Sequence, residues 1–185
     1  MGLQGIKVAI LIEDLYQDQE VWYPLYRLRE EGAAVTVVGP GRAKEYKSKY
    51  GFPIKEDLSI DKAVPGDFDG VIVPGGYSPD HMRRNPAFAQ FAKAIAAEGK
   101  PVGSICHGPW LLISAGVVKG KRVTGFFSIK DDLVNAGARY EDAEVVQDGC
   151  LITSRVPDDL PAFMKAYLAA LGARSAAHAS HDSAR

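Results

Sequence analysis

The sequence is poor in cysteine. Its 185 residues hold two, Cys106 and Cys150, and no C-x-x-C pair, so no disulfide framework is supported and a reducing cytoplasm is the expected setting. Net charge is also lacking: 22 Lys and Arg stand against 23 Asp and Glu, a formal −1. That balance excludes a general electrostatic attraction to nucleic acid or to anionic lipid. No apolar run approaches the length of a membrane span, and the N-terminus shows no signal-peptide pattern. His81, His178 and His181 have no metal-ligand spacing with Cys or carboxylates, so neither metal nor cofactor is expected. No internal repeat and no second domain stand out. With 46% hydrophobic and 24% charged residues, the composition is that of an ordinary globular protein.

What is present is a rhythm of buried strands and amphipathic helices. Ile6 to Ile12 is nearly continuous and β-branched-rich, as in a strand covered on both faces. Gln19 to Glu31 places Val21, Leu25 and Leu28 on one helical face, with Pro24 in its first turns or at a kink and Gly32 as a C-terminal stop. Ala34 to Val38 is a second strand. Strand, helix, strand is a βαβ unit and implies a parallel sheet. Lys44 to Tyr50 and Phe52 to Leu58, parted by Gly51, read as a small hairpin or edge excursion. Phe68 to Val73 is a core strand stopped by Pro74-Gly75-Gly76, and Pro86 to Glu98 is an amphipathic helix. Arg122 to Thr124 is a short strand and Ile129 to Asn135 a short helix. Asp148-Gly149 is a two-residue hairpin turn between Glu144–Gln147 and Cys150–Ser154. Pro157 to Leu171 closes the chain as a helix. One domain over 1–172 and a flexible tail over 173–185 are expected.

The chemistry gathers at Pro101 to Trp110. Val102 to Ile105 reads as the central strand and Gly108-Pro109 opens a helix, so Cys106 and His107 fall on a tight strand-to-helix turn. Such an elbow lifts a side chain out of the sheet at a helix N-terminus, where unpaired N–H groups lower a thiol's pKa. A buried structural cysteine is the bland alternative, and the small flanking residues and adjacent imidazole outweigh it. In doubly wound sheets, ligands bind beyond the carboxyl ends of strands. Backbone N–H groups of Gly75, Gly76 and His107 could form an oxyanion hole there, although a Gly-Gly pair also suits a plain loop. Glu20, in a dry pocket beside the thiol, would hold its proton and donate or shuttle it. Its bland role is an exposed carboxylate favoured by the helix dipole. His107 would serve as base only if its ring swings toward the sulfur, with Asp80 reaching it from another loop or another subunit. Otherwise Asp80 simply caps a turn after Pro79. Cys150 reads as structural.

Ordered strings run the length of the chain: R-L-R-E-E-G at 27–32, V-I-V-P-G-G at 71–76, S-I-C-H-G-P at 104–109, L-I-S-A-G-V at 112–117, I-K-D-D at 129–132 and S-R-V-P-D-D-L at 154–160. Through them the sequence resembles the PfpI intracellular proteases of the DJ-one/PfpI superfamily. The resemblance implies an α/β, flavodoxin-like three-layer sandwich, with a mostly parallel central sheet and helices on both faces. It also implies a reactive, oxidation-prone Cys106, with Glu20 as the buried acid that contacts it. His107 becomes the histidine of a Cys-His-acid triad whose acid comes from a neighbouring subunit. Asp80 stands where archaeal proteases of the family carry glutamate, and Phe126 where they carry tyrosine. A homodimer or higher homo-oligomer is implied, acting on a small aldehyde, a glycated group or a peptide. The expectation is therefore a cysteine hydrolase, of glyoxalase III, deglycase or protease type, serving in stress response. A redox-sensing or chaperone-like stress protein is the alternative from a different class. The H-P-E-like pair of class I glutamine amidotransferases, which share the fold, is missing.

Overall fold

The computed structural model describes residues 2–182. In chain order it forms β1 (Lys7–Leu11), α1 (Asp18–Glu30), β2 (Ala34–Gly39), β3 (Glu45–Lys47), β4 (Pro53–Lys55), β5 (Leu58–Ser59) and β6 (Gly70–Val73). Then follow α2 (Ser78–Met82), α3 (Pro86–Ala97), β7 (Val102–Ile105), α4 (Pro109–Ser114), β8 (Arg122–Val123), α5 (Lys130–Asn135) and β9 (Arg139–Tyr140). The chain closes with β10 (Val145–Asp148), β11 (Leu151–Ser154) and α6 (Leu160–Asp182).

Seven strands make the central sheet in the order β10-β11-β7-β6-β1-β2-β5, parallel except for β10 against β11. Alternate residues of each strand face opposite layers, because side chains alternate along extended backbone. Val8, Ile10, Ile72, Ile105 and Ile152 pack beneath Val21, Leu25 and Leu28 of α1 and Phe163, Met164 and Tyr167 of α6. Ala9, Leu11, Val71, Val73 and Val102 meet Phe88, Phe91 and Ile95 of α3 and Leu111 and Leu112 of α4 on the other side. The result is an α/β three-layer sandwich. The chain leaves β1 for β2 on one side and returns to β6 on the other, so a switch point opens beside the carboxyl end of β1.

Helix α1 begins where the Gln17 side chain accepts the Glu20 N–H at 3.2 Å, an N-cap followed by acidic residues in the first turn. Pro24 lies inside the helix and is buried; it has no N–H to give the carbonyl of Glu20. The excursion after β2 is the expected hairpin, with β3 and β4 antiparallel. Two boundaries move. The last hairpin turns at Gly149-Cys150, one residue later than expected, since Asp148 already pairs with Leu151 and Gly149 carries the positive φ of 62°. Helix α6 starts at Leu160, after a short 3-10 turn at Pro157–Asp159, and continues past Gly172 to Asp182. Of the tail expected to be flexible, residues 183–185 lie outside the described residues. Among the described residues no helix is long and apolar enough to cross a membrane.

Candidate active site

Cys106 sits between β7 and α4 with φ of 60°, a region that a non-glycine residue occupies at a cost of about 1–3 kcal/mol. The elbow is pinned on three sides: Cys106 N–H donates to Ser154 O at 3.1 Å, Phe126 N–H to Cys106 O at 2.8 Å, and Gly108 N–H to Ile105 O at 2.8 Å. The side chain is nearly enclosed, at 8% exposure.

That enclosure corrects the expectation of a thiol lowered by a helix N-terminus. Burial, and after it the charge of Glu20, push the Cys106 thiol up to about 12, while the N–H groups of Gly76 and His107 pull it down. Helix α4 has six residues, too short a dipole to offset desolvation. Glu20 is fully buried. Burial raises its carboxyl to about 7, against the opposing pull of the Gly75 N–H, the Cys106 thiol and Lys49. Its Oε2 accepts the Gly75 N–H at 2.6 Å, whereas Oε1 is buried and accepts no hydrogen bond from the described residues. The Cys106 thiol beside it favours the ionised carboxylate. The two groups form one coupled system: a proton on Glu20 removes the repulsion that disfavours the thiolate.

His107 needs no swing. Its Nδ1 lies 3.3 Å from Cys106 Sγ and its Nε2 3.3 Å from Ser128 Oγ. Phe126 stacks on the ring at 4.9 Å between centroids, and Trp110 meets it edge-on at 5.0 Å. Burial and then the charge of Lys49 hold the imidazole pKa below its ordinary value.

Asp80 is not brought to His107 within this chain. It lies on α2, nearly half-exposed, in an ion pair with Arg84 one helical turn on. Gly75 is likewise not free to bind an oxyanion, because its N–H is held by Glu20. Its role is spatial: a β-carbon at Gly75 would come 2.7 Å from Glu20 Oε2, 2.8 Å from Cys106 Cβ and 2.9 Å from His107 N. Of the three expected donors, Gly76 and His107 are left to offer N–H groups at the sulfur.

Glu20, Gly76, Cys106 and His107 line a cleft of about 210 Å³ together with Gln17, Lys49, Tyr77, Phe126 and Pro157. A larger groove of about 430 Å³ runs between Arg27 of α1, Glu31 just after it, and Met164, Lys165 and Leu168 of α6; its lining holds no thiol and no imidazole, so chemistry rather than size identifies the site. Sequence reasoning missed Lys49 and Ser128. Lys49 reaches the cleft because the β3–β4 hairpin docks on the loop after β1, through Leu15 N–H to Lys47 O at 2.7 Å, Lys49 N–H to Tyr16 O at 2.9 Å and Tyr16 Oη to Phe52 O at 2.6 Å. No local pattern announces such a contact. Among the described residues, no group of three or more His, Cys, Asp or Glu side chains could hold a metal ion.

A sequence model of the DJ-1/PfpI family matches residues 6–170. The chain is 45% identical over 163 residues to a deglycase of Pyrococcus abyssi, covering 88% of this chain and 98% of the relative. It is 44% identical over 169 residues to protein/nucleic acid deglycase 2 of Escherichia coli, covering 90% and 98% respectively. Among solved structures, a two-domain protein from Anabaena variabilis with DJ-1/ThiJ/PfpI-like and ferritin-like domains superposes with a TM-score of 0.88 at 43% identity, over 90% of this chain and 48% of that one.

Proposed function

The chain belongs to the DJ-1/PfpI family, and on that premise we propose that it is a cysteine-dependent hydrolase acting on carbonyl adducts, of the deglycase or glyoxalase III type. One observation carries the reading: Cys106 Sγ stands on a strained elbow 3.3 Å from an imidazole nitrogen, beside a buried carboxyl that holds its proton near neutral pH. The names of the relatives support the same class of activity.

In the first step the Cys106 S–H bond breaks and its proton passes to His107 Nδ1. The sulfur lone pair forms a bond to the carbonyl carbon, and the C=O π pair becomes an oxyanion received by the N–H groups of Gly76 and His107. Protonated Glu20 donates toward the sulfur through Oε1 and stabilises the thiolate until the bond forms. An aldehyde is captured by that step alone. A peptide further requires an amine leaving group to be protonated and a thioester to be hydrolysed, which asks more of His107. Self-association belongs to the same proposal, since Asp80 could approach His107 only from a second copy.

The test is a panel of methylglyoxal adducts, glycated amines and fluorogenic peptides. Cys106→Ser should lower adduct turnover by on the order of a hundredfold or more; unchanged turnover would overturn the reading. Oxidation sensing is the second reading, favoured by the two N–H groups that face the sulfur. The raised thiol weighs against it, because the thiolate is the form that oxidises. Mass spectrometry after mild peroxide decides: Cys106 gaining oxygen no faster than Cys150 rejects a sensor.

A further inference from the structure

We propose that Lys49 is a specificity-determining residue: it makes the cleft select carbonyl adducts whose carrier bears a carboxylate, such as those of free amino acids, over adducts of neutral carriers. This deepens the reading of Cys106 as the nucleophile and rests on it.

Lys49 is carried by a turn whose backbone is fixed. Ser48 is buried at its base, and its Oγ accepts the Tyr50 N–H at 3.1 Å and the Phe52 N–H at 3.0 Å. The Ser48 N–H donates to Phe52 O at 2.9 Å, and the Lys49 N–H to Tyr16 O at 2.9 Å. Trp22 of α1 meets the Phe52 ring edge-on at 5.5 Å and braces the turn from the helix side. Only the side chain, not the backbone, has to be ordered when the Lys49 ammonium takes a partner. That ammonium stands 5.0 Å from the centre of the Tyr50 ring, and its charge acts on both Glu20 and His107.

A carbonyl carbon within reach of Cys106 Sγ places its oxygen at the N–H groups of Gly76 and His107. The carrier of the adduct then lies along the rest of the cleft, where Phe126, Tyr77 and Pro157 offer apolar surface and Lys49 offers charge. A cleft of about 210 Å³ suits a small carrier, and a neighbouring copy can only narrow it. Just below pH 7 Glu20 still holds its proton, burial keeps His107 neutral, and Cys106 is a thiol. Among the described residues of the cleft, Lys49 therefore carries the charge that an incoming group meets. A carboxylate on the carrier gains an ionic hydrogen bond there; an amide in its place does not.

The test compares the methylglyoxal hemithioacetals of N-acetylcysteine and of its amide, which share one reacting carbonyl and differ by one charge. The wild type should prefer the carboxylate by about five- to tenfold in kcat/KM, the size of one charge-assisted contact in a half-open cleft, with the difference carried by KM. Lys49→Met should bring the ratio near one, Lys49→Arg should keep it and Lys49→Glu should reverse it. Loss of the cation also alters Glu20 and His107, and an acid from a neighbouring copy acts on His107 as well. Both influences bear alike on the two adducts, so the ratio isolates recognition of the carrier. Binding is read without turnover by titrating S-(2-hydroxypropyl)-N-acetylcysteine and its amide, in which an alcohol replaces the ketone, into Cys106→Ser protein while following the His107 ring by NMR. Their dissociation constants should differ by the same factor and converge when Lys49→Met is added. The proposal is overturned if the wild type treats the two carriers alike, or if the ratio survives Lys49→Met. Full turnover in Cys106→Ser would remove the nucleophile, while the binding comparison would still decide the part played by Lys49.

Discussion

Cys106 and Cys150 both lie in tight turns, the first buried and the second half-buried, and burial pushes both thiols above their ordinary value. They occupy opposite ends of neighbouring parallel strands: Cys106 follows β7, and Cys150 precedes β11. At the carboxyl end, α1, the β3–β4 hairpin and the loop after β6 converge on the sulfur with an acid, a cation and two N–H groups. At the amino end the Cys150 thiol contacts the Ala96 carbonyl at 3.6 Å and feels the charges of Lys121, Arg174 and Asp148, with no imidazole against it among the described contacts. Desolvation alone makes an inert cysteine; a proton acceptor at one side and a proton-holding acid at the other make a candidate nucleophile.

The contrast is most strongly tested at Glu20. Its folded pKa of about 7 exceeds the ordinary 4.5, so the folded state holds a proton that the unfolded state releases between those values. The stabilisation is complete below about pH 4.5 and is lost as pH rises through 7. At about 1.36 kcal/mol per unit this amounts to about 3 kcal/mol. Urea denaturation at pH 5 and pH 8 should show that loss in the wild type and little of it in Glu20→Gln. Equal pH dependence in the two proteins would mean that burial does not govern this carboxyl. Turnover should fall in the same variant.

A smaller effect separates the two turns sterically. Gly75→Ala drives a methyl against Glu20, Cys106 and His107 and should destabilise by about 1–3 kcal/mol, as overpacking does. Gly149→Ala, beside Cys150, meets nothing nearer than Lys121 Nζ at 3.8 Å and carries only the strain of its positive φ, about 1 kcal/mol. Midpoints of thermal unfolding rank the pair; a reversed order would show that the cysteine elbow has room to relax. The smallest change is expected of Cys150→Ala, which removes a weak S–H contact and should shift stability by about 1 kcal/mol or less while leaving turnover unaltered.

Much of the architecture could be read from the residues, because buried parallel strands are runs of Val and Ile and their helices repeat apolar residues at three and four. The elbow at Cys106 was visible for a related reason: a strand parted from a Gly-Pro helix start by two residues, Cys106 and His107, must turn tightly. The hairpin turn was misplaced by one residue, since Asp-Gly and Gly-Cys both satisfy a two-residue turn and only the pairing of Asp148 with Leu151 decides between them. Within one chain Asp80 pairs with Arg84, a contact that i, i+4 spacing allows and that the loop sequence alone did not announce.

Strand periodicity, helix faces and the Cys-His turn are local properties, and the sequence by itself determined them. The protonation of Glu20, the employment of the Gly75 N–H, the arrival of Lys49 and the pairing of His107 with Ser128 were decided by tertiary structure. Each depends on desolvation or on a hydrogen bond between segments far apart in the chain, and neither exists until the layers close around the end of the sheet.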